Sequence, residues 1–277
     1  MAARRELSRP FGFVPTMGAL HAGHASLLAA ARADCPSVVA SIFVNPRQFG
    51  PSEDFQTYPR DEAADLAFLE RAGVDVAFVP PVEEIYPPGS STYVDVGRLG
   101  EVLEGAQRRG HFRGVATVVS ILFALVAPDR AYFGQKDGQQ VVVVRRLVDD
   151  LGFPIEIVVG PTVREPDGLA LSSRNRYLAP PQRTAASIVH ACLVAVHHAY
   201  RGGERSGDGL RRLMLSVLGR EPLVTPDYVS VADAATLEEL EVVDRPALVS
   251  LAVHTGSTRL IDCLPLHDPV LAGLRGA

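Results

Sequence analysis

Short apolar segments alternate with amphipathic segments from the start of the chain. Residues 11–14, 37–44 and 74–79 are apolar runs of strand length, and each predicts a buried strand. A helical repeat of apolar residues begins at residue 24, after the first run, and residues 61–72 contain another after the second. Strands that alternate with helices favour parallel pairing through right-handed crossovers.

The same alternation continues to about residue 160 and then changes. The elements expected in this part are a short edge strand at 93–96, a core helix at 115–126, a strand at 130–133, a helix at 137–151 and a strand at 155–159. Beyond a polar loop at 163–175, the pattern predicts two helices and then three strands, at 181–200, 209–218, 227–232, 247–254 and 259–264. Helices that precede a group of strands are typical of a separate α+β domain.

The predicted fold class is therefore α/β with two domains. Residues 1–162 are expected to form a Rossmann-like domain around a parallel sheet, and residues 163–277 a smaller α+β domain that closes over the ligand site of the first. Ligands of an open parallel sheet bind outside the carboxyl ends of its strands. The chain places three polar segments there, at 16–24, 45–48 and 134–137, and we expect them to converge on one crevice.

Composition narrows the class of protein without identifying it. Apolar residues make up 47% of the 277 residues, and the net charge of −5 argues against nucleic-acid binding. The three cysteines lie far apart in the sequence, which favours reduced thiols and a cytoplasmic protein over a disulfide framework. Residues 1–9 contain no apolar segment of a secretory signal, and the uncharged run at 115–128 is too short to cross a membrane.

The turn after the first predicted strand carries the strongest candidate chemistry. Gly18 permits a sharp backbone turn, and the next helix begins beside His21 and His24, with Gly23 between them. A helix N-terminus attracts anions, and two imidazoles at this spacing can both contact one phosphate chain. Two alternatives stay open. One histidine caps the helix while the other is solvated, or the pair binds zinc, although the nearby sequence lacks further ligands at the usual spacing.

Longer motifs extend this signal over residues 11–178. They read FVPTMGALHAGH, SIFVNPRQFGPSEDFQTYPR, HFRGVATVV, AYFGQKDGQQ and VREPDGLALSSRNRYL. In combination they resemble the pantoate–β-alanine ligase family, which belongs to the nucleotidyltransferases related to class I aminoacyl-tRNA synthetases. HAGH resembles the HIGH signature of that group, and LSSRN stands where its KMSKS loop is expected.

The resemblance implies a two-step, ATP-dependent reaction. Pantoate attacks the α-phosphorus of ATP to give pantoyl adenylate and pyrophosphate, and β-alanine then displaces AMP to give pantothenate. It also implies that Mg²⁺ accompanies the triphosphate and that the enzyme is a homodimer. The cysteines, the charge and the motif spacing described above lead us to expect a cytoplasmic protein with no nucleic-acid or membrane partner and no metal site of its own.

Site residues follow from the same motifs. The resemblance implies that His24 is the proton donor and that His21, Lys136 and Arg174 are also catalytic. The residues implied in ATP binding are Met17, Gly18, His21, His24, Gly134, Lys136, Asp137, Val163, Leu171, Ser172, Ser173 and Arg174. Gln48 and Gln140 resemble the glutamines that hold pantoate. Whether Asp137 contacts ribose or a metal-bound water is left open. Arg108, His111 and Arg113 are assigned either to phosphate, to a partner subunit or to a solvated basic loop, and Tyr58 to the pantoate pocket.

One position departs from the pattern, and other functions stay in view. Gly138 stands where the resemblance leads us to expect a larger residue, and glycine weakens a helix by roughly 1 kcal/mol relative to alanine. An adenylyltransferase acting on a phosphorylated acceptor shares the H-x-G-H motif, but the paired glutamines and the lack of a clustered basic pocket oppose it. A nucleotide-binding module without turnover is opposed by the presence of His21, His24, Lys136 and Arg174 together.

Overall fold

The computed structural model describes residues 6–51, 53–268, 271 and 273. The prediction about a secretory signal concerns residues 1–9, and residues 1–5 of that segment lie outside the described part. Five strands form the first sheet: β1 Phe11–Thr16, β2 Ser37–Ile42, β3 Val76–Phe78, β4 Arg130–Gly134 and β5 Glu156–Gly160. Their order is β3-β2-β1-β4-β5, and β1 pairs in parallel with both β2 and β4.

Helices connect these strands. They are α1 Ala22–Asp34, α2 Glu62–Arg71, α3 Val82–Ile85, α4 Glu104–Gln107, α5 His111–Val126 and α6 Gly138–Leu151. The remaining elements are α7 Pro180–Ala185, α8 Ile188–Arg201, α9 Gly207–Leu218, β6 Thr225–Asp233, β7 Ala247–Thr255 and β8 Thr258–Pro265. The last three strands form an antiparallel sheet in the order β6-β7-β8. The predicted α/β class with a smaller second sheet is confirmed. Among the described residues, no helix is both long and apolar enough to span a membrane.

The chain divides into two compact units. The N-terminal unit contains the residues up to Phe133 together with Gln140–Gly160, and the C-terminal unit contains Gly134–Gln139 together with the residues from Pro161 onward. The C-terminal unit therefore includes a short segment between β4 and the body of α6. The cysteines are free and buried: Cys35 belongs to the N-terminal unit, and Cys192 and Cys263 belong to the C-terminal unit.

Burial explains the helical repeat of α1. Leu27, Leu28 and Ala31 recur at three to four residues and pack in one apolar cluster with Val14 of β1 and Ala40 of β2. The second unit has its own core, in which α8 and α9 pack against the antiparallel sheet. Each unit thus buries the apolar face that the sequence pattern predicts.

Two predicted elements differ from the structure. The segment predicted as an edge strand at 93–96 is a loop, because its contacts are with side chains of a helix: the N–H of Val94 donates to Thr117 Oγ1 at 3.0 Å. The helix predicted at 181–200 is divided into α7 and α8, because the N–H groups of Ser187 and Val189 bond to carbonyls three residues earlier.

The first predicted strand ends later than expected. It continues through Pro15 to Thr16, which pairs with Ile42 of β2, and the N–H of Phe43 donates to Thr16 O at 3.0 Å. Proline has no N–H for a ladder and is therefore disfavoured inside a central strand. Its pairing in the register with Ser41 shows that β1 tolerates it near the carboxyl end.

Candidate active site

The turn that leaves β1 is held by a carboxylate of α2. Gly18 (φ +80°) and Ala19 (φ +51°) both adopt the left-handed conformation, so the chain reverses sharply. The two carboxylate oxygens of Asp65 accept the backbone N–H groups of Ala19 and Leu20, each at 2.9 Å. Asp65 is 5% exposed, and a Cβ at Gly18 would lie 2.7 Å from its Oδ2. Glycine is therefore required at this point both by conformation and by space.

Each histidine of the H-x-G-H motif uses Nδ1 to cap the start of α1. His21 is the N-cap residue and its Nδ1 accepts the N–H of Gly23 at 3.1 Å, while Nδ1 of His24 accepts the N–H of His21 at 3.2 Å. A ring nitrogen that accepts a hydrogen bond carries no proton, so in the neutral imidazole the proton is on Nε2. The ring centroids are 4.2 Å apart. Two Nε2–H groups that can donate to an anion are thus placed together at a helix N-terminus.

Gly23 makes this arrangement possible. A Cβ at this position would lie 2.9 Å from Cε1 and 3.0 Å from Nδ1 of His21, so the glycine leaves room for the capping imidazole. The alternative in which one histidine caps the helix while the other is solvated is wrong in its second half, because His21 and His24 both cap α1 and His24 is half-buried. That role uses Nδ1 and leaves the chemistry of Nε2 unchanged, so capping and phosphate binding are compatible.

Gln48 lies in the short 3-10 helix Pro46–Gln48 after β2, and its side-chain amide is held at both ends. Asn45 Nδ2 donates to Gln48 Oε1 at 2.9 Å, and Gln48 Nε2 lies 3.2 Å from Met17 Sδ. Asn45 is in turn oriented by the hydroxyl of Tyr86, which donates to Asn45 Oδ1 at 2.8 Å. Since Met17 belongs to the turn after β1, the structure brings Gln48 and the histidine-bearing turn together at the carboxyl ends of two neighbouring strands.

A buried histidine of α5 holds the backbone of Gln48. His111 Nδ1 lies 2.8 Å from Gln48 O, and Arg108 Nη1 lies 3.0 Å from His111 Nε2. Arginine can only donate, so Nε2 accepts and Nδ1 carries the proton that it donates to Gln48. Arg108 also forms a bidentate ion pair with Glu53, at 2.8 and 2.6 Å. Burial and the Arg108 guanidinium lower the pKa of His111 to about 4, so the ring is neutral near pH 7.

In the C-terminal unit, the residues predicted to bind phosphate lie in a second 3-10 turn, Gln135–Asp137, with Gly134 as its N-cap. Lys136 Nζ lies 3.4 Å from Asp137 Oδ1. Cys263 of β8 donates from Sγ to Gln135 O at 2.9 Å. Burial raises the pKa of the Cys263 thiol to about 12, so Sγ keeps its proton at neutral pH and can serve as this donor.

The polar loop predicted at 163–175 begins as a short hairpin in the same unit. The N–H of Leu171 donates to Val163 O at 2.9 Å, which places these two predicted adenine contacts side by side. Ser172 is the N-cap of the 3-10 helix Ser173–Tyr177, and its Oγ accepts the N–H of Arg174 at 3.3 Å. The predicted loop residues Val163, Leu171, Ser172, Ser173 and Arg174 are all half-buried.

Other predicted site residues have simple placements. Gln140 is half-buried in the first turn of α6, within the N-terminal unit. Tyr58 is 7% exposed and packs edge-on against Phe49, with ring centroids 5.8 Å apart. The Arg113 guanidinium lies 4.2 Å from the centre of the Tyr93 ring. Arg108 and His111, by contrast, belong to the buried network beneath Gln48.

Sequence reasoning missed the residues that support the predicted ones. Asp65 was recognisable in principle, because it precedes the buried Leu69 by four residues and so lies on the apolar face of α2. A carboxylate on that face needs donors, and the turn after β1 supplies them. Asn45, Tyr86 and Cys263 carry no comparable signal, since their partners come from distant parts of the chain.

Comparison with known proteins identifies the family of the chain. A family model described as pantoate-beta-alanine ligase matches residues 1–265. The chain belongs to the pantoate–β-alanine ligase family. A pantothenate synthetase from Chloroflexus aggregans is 60% identical over 252 residues, which cover 91% of each chain, and one from Roseiflexus castenholzii is 58% identical over 261 residues, 94% of each.

Solved structures of pantoate–β-alanine ligases share the fold. The pantothenate synthetase of Thermus thermophilus superposes with a TM-score of 0.91 at 50% identity, covering 96% of each chain. The pantoate-beta-alanine ligase of Francisella tularensis, determined in complex with beta-gamma ATP and beta-alanine, has a TM-score of 0.78 at 34% identity, covering 96% of this chain and 94% of that one. The predicted enzyme class is thereby confirmed, and the adenylyltransferase alternative is not supported.

Proposed function

We propose that the chain joins pantoate to β-alanine through a pantoyl-adenylate intermediate, with ATP as the activating substrate. Pantoate's carboxylate oxygen forms a bond to the α-phosphorus of ATP while the bond to pyrophosphate breaks. The amine of β-alanine then forms an amide bond to the activated carbonyl carbon. The bond from that carbon to the bridging oxygen breaks, AMP leaves with this oxygen, and the amine gives up a proton. The relative from Francisella tularensis supports ATP and β-alanine as substrates.

This proposal rests on one observation, the position of Nδ1 of each histidine within hydrogen-bond distance of a backbone N–H. Both Nδ1 atoms accept backbone N–H groups at the start of α1, so His21 and His24 can each donate from Nε2. Phosphoryl and nucleotidyl transfer needs positioning and charge stabilisation more than covalent help from the protein. Two fixed donors at a helix N-terminus meet that need, and His24 is assigned as the proton donor to the departing pyrophosphate.

The other predicted residues take roles that suit their chemistry. Gln48 and Gln140 are assigned to the hydroxyl and carboxylate of pantoate, and the two fixed ends of the Gln48 amide give it one defined orientation. Lys136 and Arg174 are assigned to the phosphates, because each supplies positive charge where the carboxylate and triphosphate repel. The remaining assignments are Met17, Gly18, Gly134, Val163, Leu171, Ser172 and Ser173 to ATP, and Asp137 to the ribose or to a metal-bound water.

Several further assignments complete the proposal. Mg²⁺ is treated as part of the ATP substrate, since it is commonly bound through substrate phosphates rather than by a protein cage. The N-terminal unit is assigned the histidine pair and pantoate. The C-terminal unit is assigned two segments: the lysine turn, which is the 3-10 turn Gln135–Asp137, and the serine-arginine loop, which contains Ser172, Ser173 and Arg174. We also assign the working enzyme to the cytoplasm, because its cysteines are dispersed in the sequence, and to a homodimer, on the resemblance of the sequence.

Pyrophosphate exchange tests the order of steps. Labelled pyrophosphate should enter ATP when pantoate and Mg²⁺ are present and β-alanine is absent, because the adenylate forms before the amine is needed. Exchange should vanish without pantoate, and added β-alanine should release AMP. His24→Ala should slow the exchange by about 10²- to 10³-fold, whereas His198→Ala, which changes an exposed histidine of α8, should leave it unchanged. A requirement for β-alanine would favour a concerted reaction, and AMP joined to a phosphorylated acceptor would identify an adenylyltransferase.

A further inference from the structure

Two adjacent residues of β8 contact the two segments assigned to ATP in the C-terminal unit. Successive side chains of a strand point to opposite faces of the sheet. Asp262 contacts the hairpin that leads to the serine-arginine loop, and Cys263 contacts the turn that carries Lys136. The two segments are distant in sequence from each other and from β8. Only the folded chain shows that both contact neighbouring residues of the same strand.

The first of these contacts is a buried ion pair. Arg164 Nη1 and Nη2 lie 2.6 and 3.1 Å from the two carboxylate oxygens of Asp262, and the side chains are 7% and 1% exposed. Arg164 Nη1 also donates to Gly168 O at 3.0 Å, so the guanidinium holds the tip of the hairpin as well as its base. A bidentate pair of this kind fixes direction as well as distance.

The second contact leaves no spare space around the lysine turn. Cys263 Sγ donates to Gln135 O at 2.9 Å, and Gln135 Nε2 lies 3.4 Å from the same sulfur. A Cβ at Gly138 would lie 2.7 Å from that sulfur, 3.1 Å from Gln135 Nε2 and 3.3 Å from Leu248 Cδ1. Real Cβ atoms do not approach so closely, so the departure noted at Gly138 is explained by the sulfur that fills the space of a side chain.

We propose that Asp262 and Cys263 are positioning residues for ATP, which set the placement of the serine-arginine loop and of the lysine turn from one point on β8. This inference rests on the proposed function, because it takes the ATP contacts of Lys136 and Arg174 from there. Both contacts are buried and directional. The two segments are therefore ordered before the nucleotide arrives, and less freedom remains to be lost on binding.

A set of variants at positions 138 and 263 tests the contact itself. In the wild-type background, Gly138→Ala should lower the urea midpoint and weaken ATP binding about tenfold, as expected from overpacking beside Cys263 Sγ. With Cys263→Ala the sulfur is gone, and Gly138→Ala should then lower the urea midpoint much less, because only the looser approaches to Gln135 Nε2 and Leu248 Cδ1 remain. Cys192→Ala, at an equally buried thiol of α8, is the matched control and should leave the effect of Gly138→Ala unchanged.

Binding measurements separate a positioning role from a merely structural one. Titration calorimetry should show that Gly138→Ala weakens ATP binding about tenfold and pantoate binding by less than about twofold. The double variant Gly138→Ala/Cys263→Ala should bind ATP within about threefold of the affinity of Cys263→Ala alone. Asp262→Asn should weaken ATP in the same selective way.

Three results would overturn the proposal. Gly138→Ala could be equally harmful with and without the sulfur, it could weaken ATP and pantoate alike, or it could change stability while ATP affinity stays constant. These outcomes are distinct from a failure of the proposed function. A wild-type protein that binds ATP but makes no pantothenate would refute the reaction and still allow every one of these comparisons.

Discussion

Acid should destabilise the protein through one buried histidine, His111. Its Nδ1 proton is donated to Gln48 O, and its Nε2 accepts from Arg108, so the native state is built around the neutral ring. A second proton would sit on Nε2 against the guanidinium. Glu53 and Glu104 are the nearby acidic groups, and they do not outweigh burial and Arg108, since the pKa of His111 is lowered to about 4.

The pH window follows from the two protonation states. An unfolded histidine has a pKa of about 6.5, so above that pH both states are neutral and the full stability is present. As the pH falls from about 6.5 to about 4, only the unfolded chain takes up the proton, and stability is lost. Each tenfold difference in proton affinity is worth about 1.4 kcal/mol, so this one group should remove about 2 kcal/mol between pH 7 and pH 5.

Urea unfolding followed by circular dichroism measures this loss, and dichroism suits the purpose because the chain has no tryptophan to report by fluorescence. The quantity to compare is the change in unfolding free energy between pH 7 and pH 5. In His111→Gln this change should be about 2 kcal/mol smaller than in the wild type, whatever the variant costs at pH 7. His198→Gln, at an exposed position, should keep the wild-type change. Equal pH dependence in His111→Gln and the wild type would refute the reasoning.

Three further predictions concern the residues around the turn after β1. His24→Ala, and His21→Ala to a similar or lesser degree, should slow adenylate formation by about 10²- to 10³-fold with the fold retained, as single-turnover kinetics and a melting curve would show. Gln48→Ala and Gln140→Ala should weaken pantoate by roughly 1–3 kcal/mol in titration calorimetry, with ATP much less affected, and equal weakening of both ligands would remove them from the pantoate site. Asp65→Asn should slow adenylate formation at least about tenfold. The asparagine oxygen can accept one of the two N–H groups of Ala19 and Leu20, but its NH₂ group then faces the other N–H. Unchanged kinetics would show that the turn after β1 does not depend on the Asp65 carboxylate.

Much of the fold was predictable because burial imposes a period on the sequence. Leu27, Leu28 and Ala31 reveal the inner face of α1, and the apolar runs of β1 and β2 reveal strands buried on both faces. Residues 93–96 were misread because a short apolar run has the same pattern whether its partner is a strand or, as here, Thr117 of a helix.

The candidate site was predictable only in part, for a related reason. His21, His24 and Gln48 lie in local motifs, so neighbouring residues in the sequence identify them. Asp65 and Cys263 act through partners that are 45 and 128 residues away, and no local pattern encodes such a distance. His111 was recognised as part of a basic segment, but its burial and neutral state depend on the packing of α5 against the turn after β2.

The three buried thiols give the chain its own reporters of local opening. Cys35 is 3% exposed in the N-terminal unit, and Cys192 and Cys263 are 0% and 3% exposed in the C-terminal unit. A thiol-labelling reagent can modify such a group only when the structure around it opens, so the labelling rate measures the free energy of that opening. Mass analysis of the labelled peptides distinguishes the three positions. The free energy of local opening in each unit, and its change when a nucleotide binds, can therefore be measured in the wild-type protein without an engineered probe.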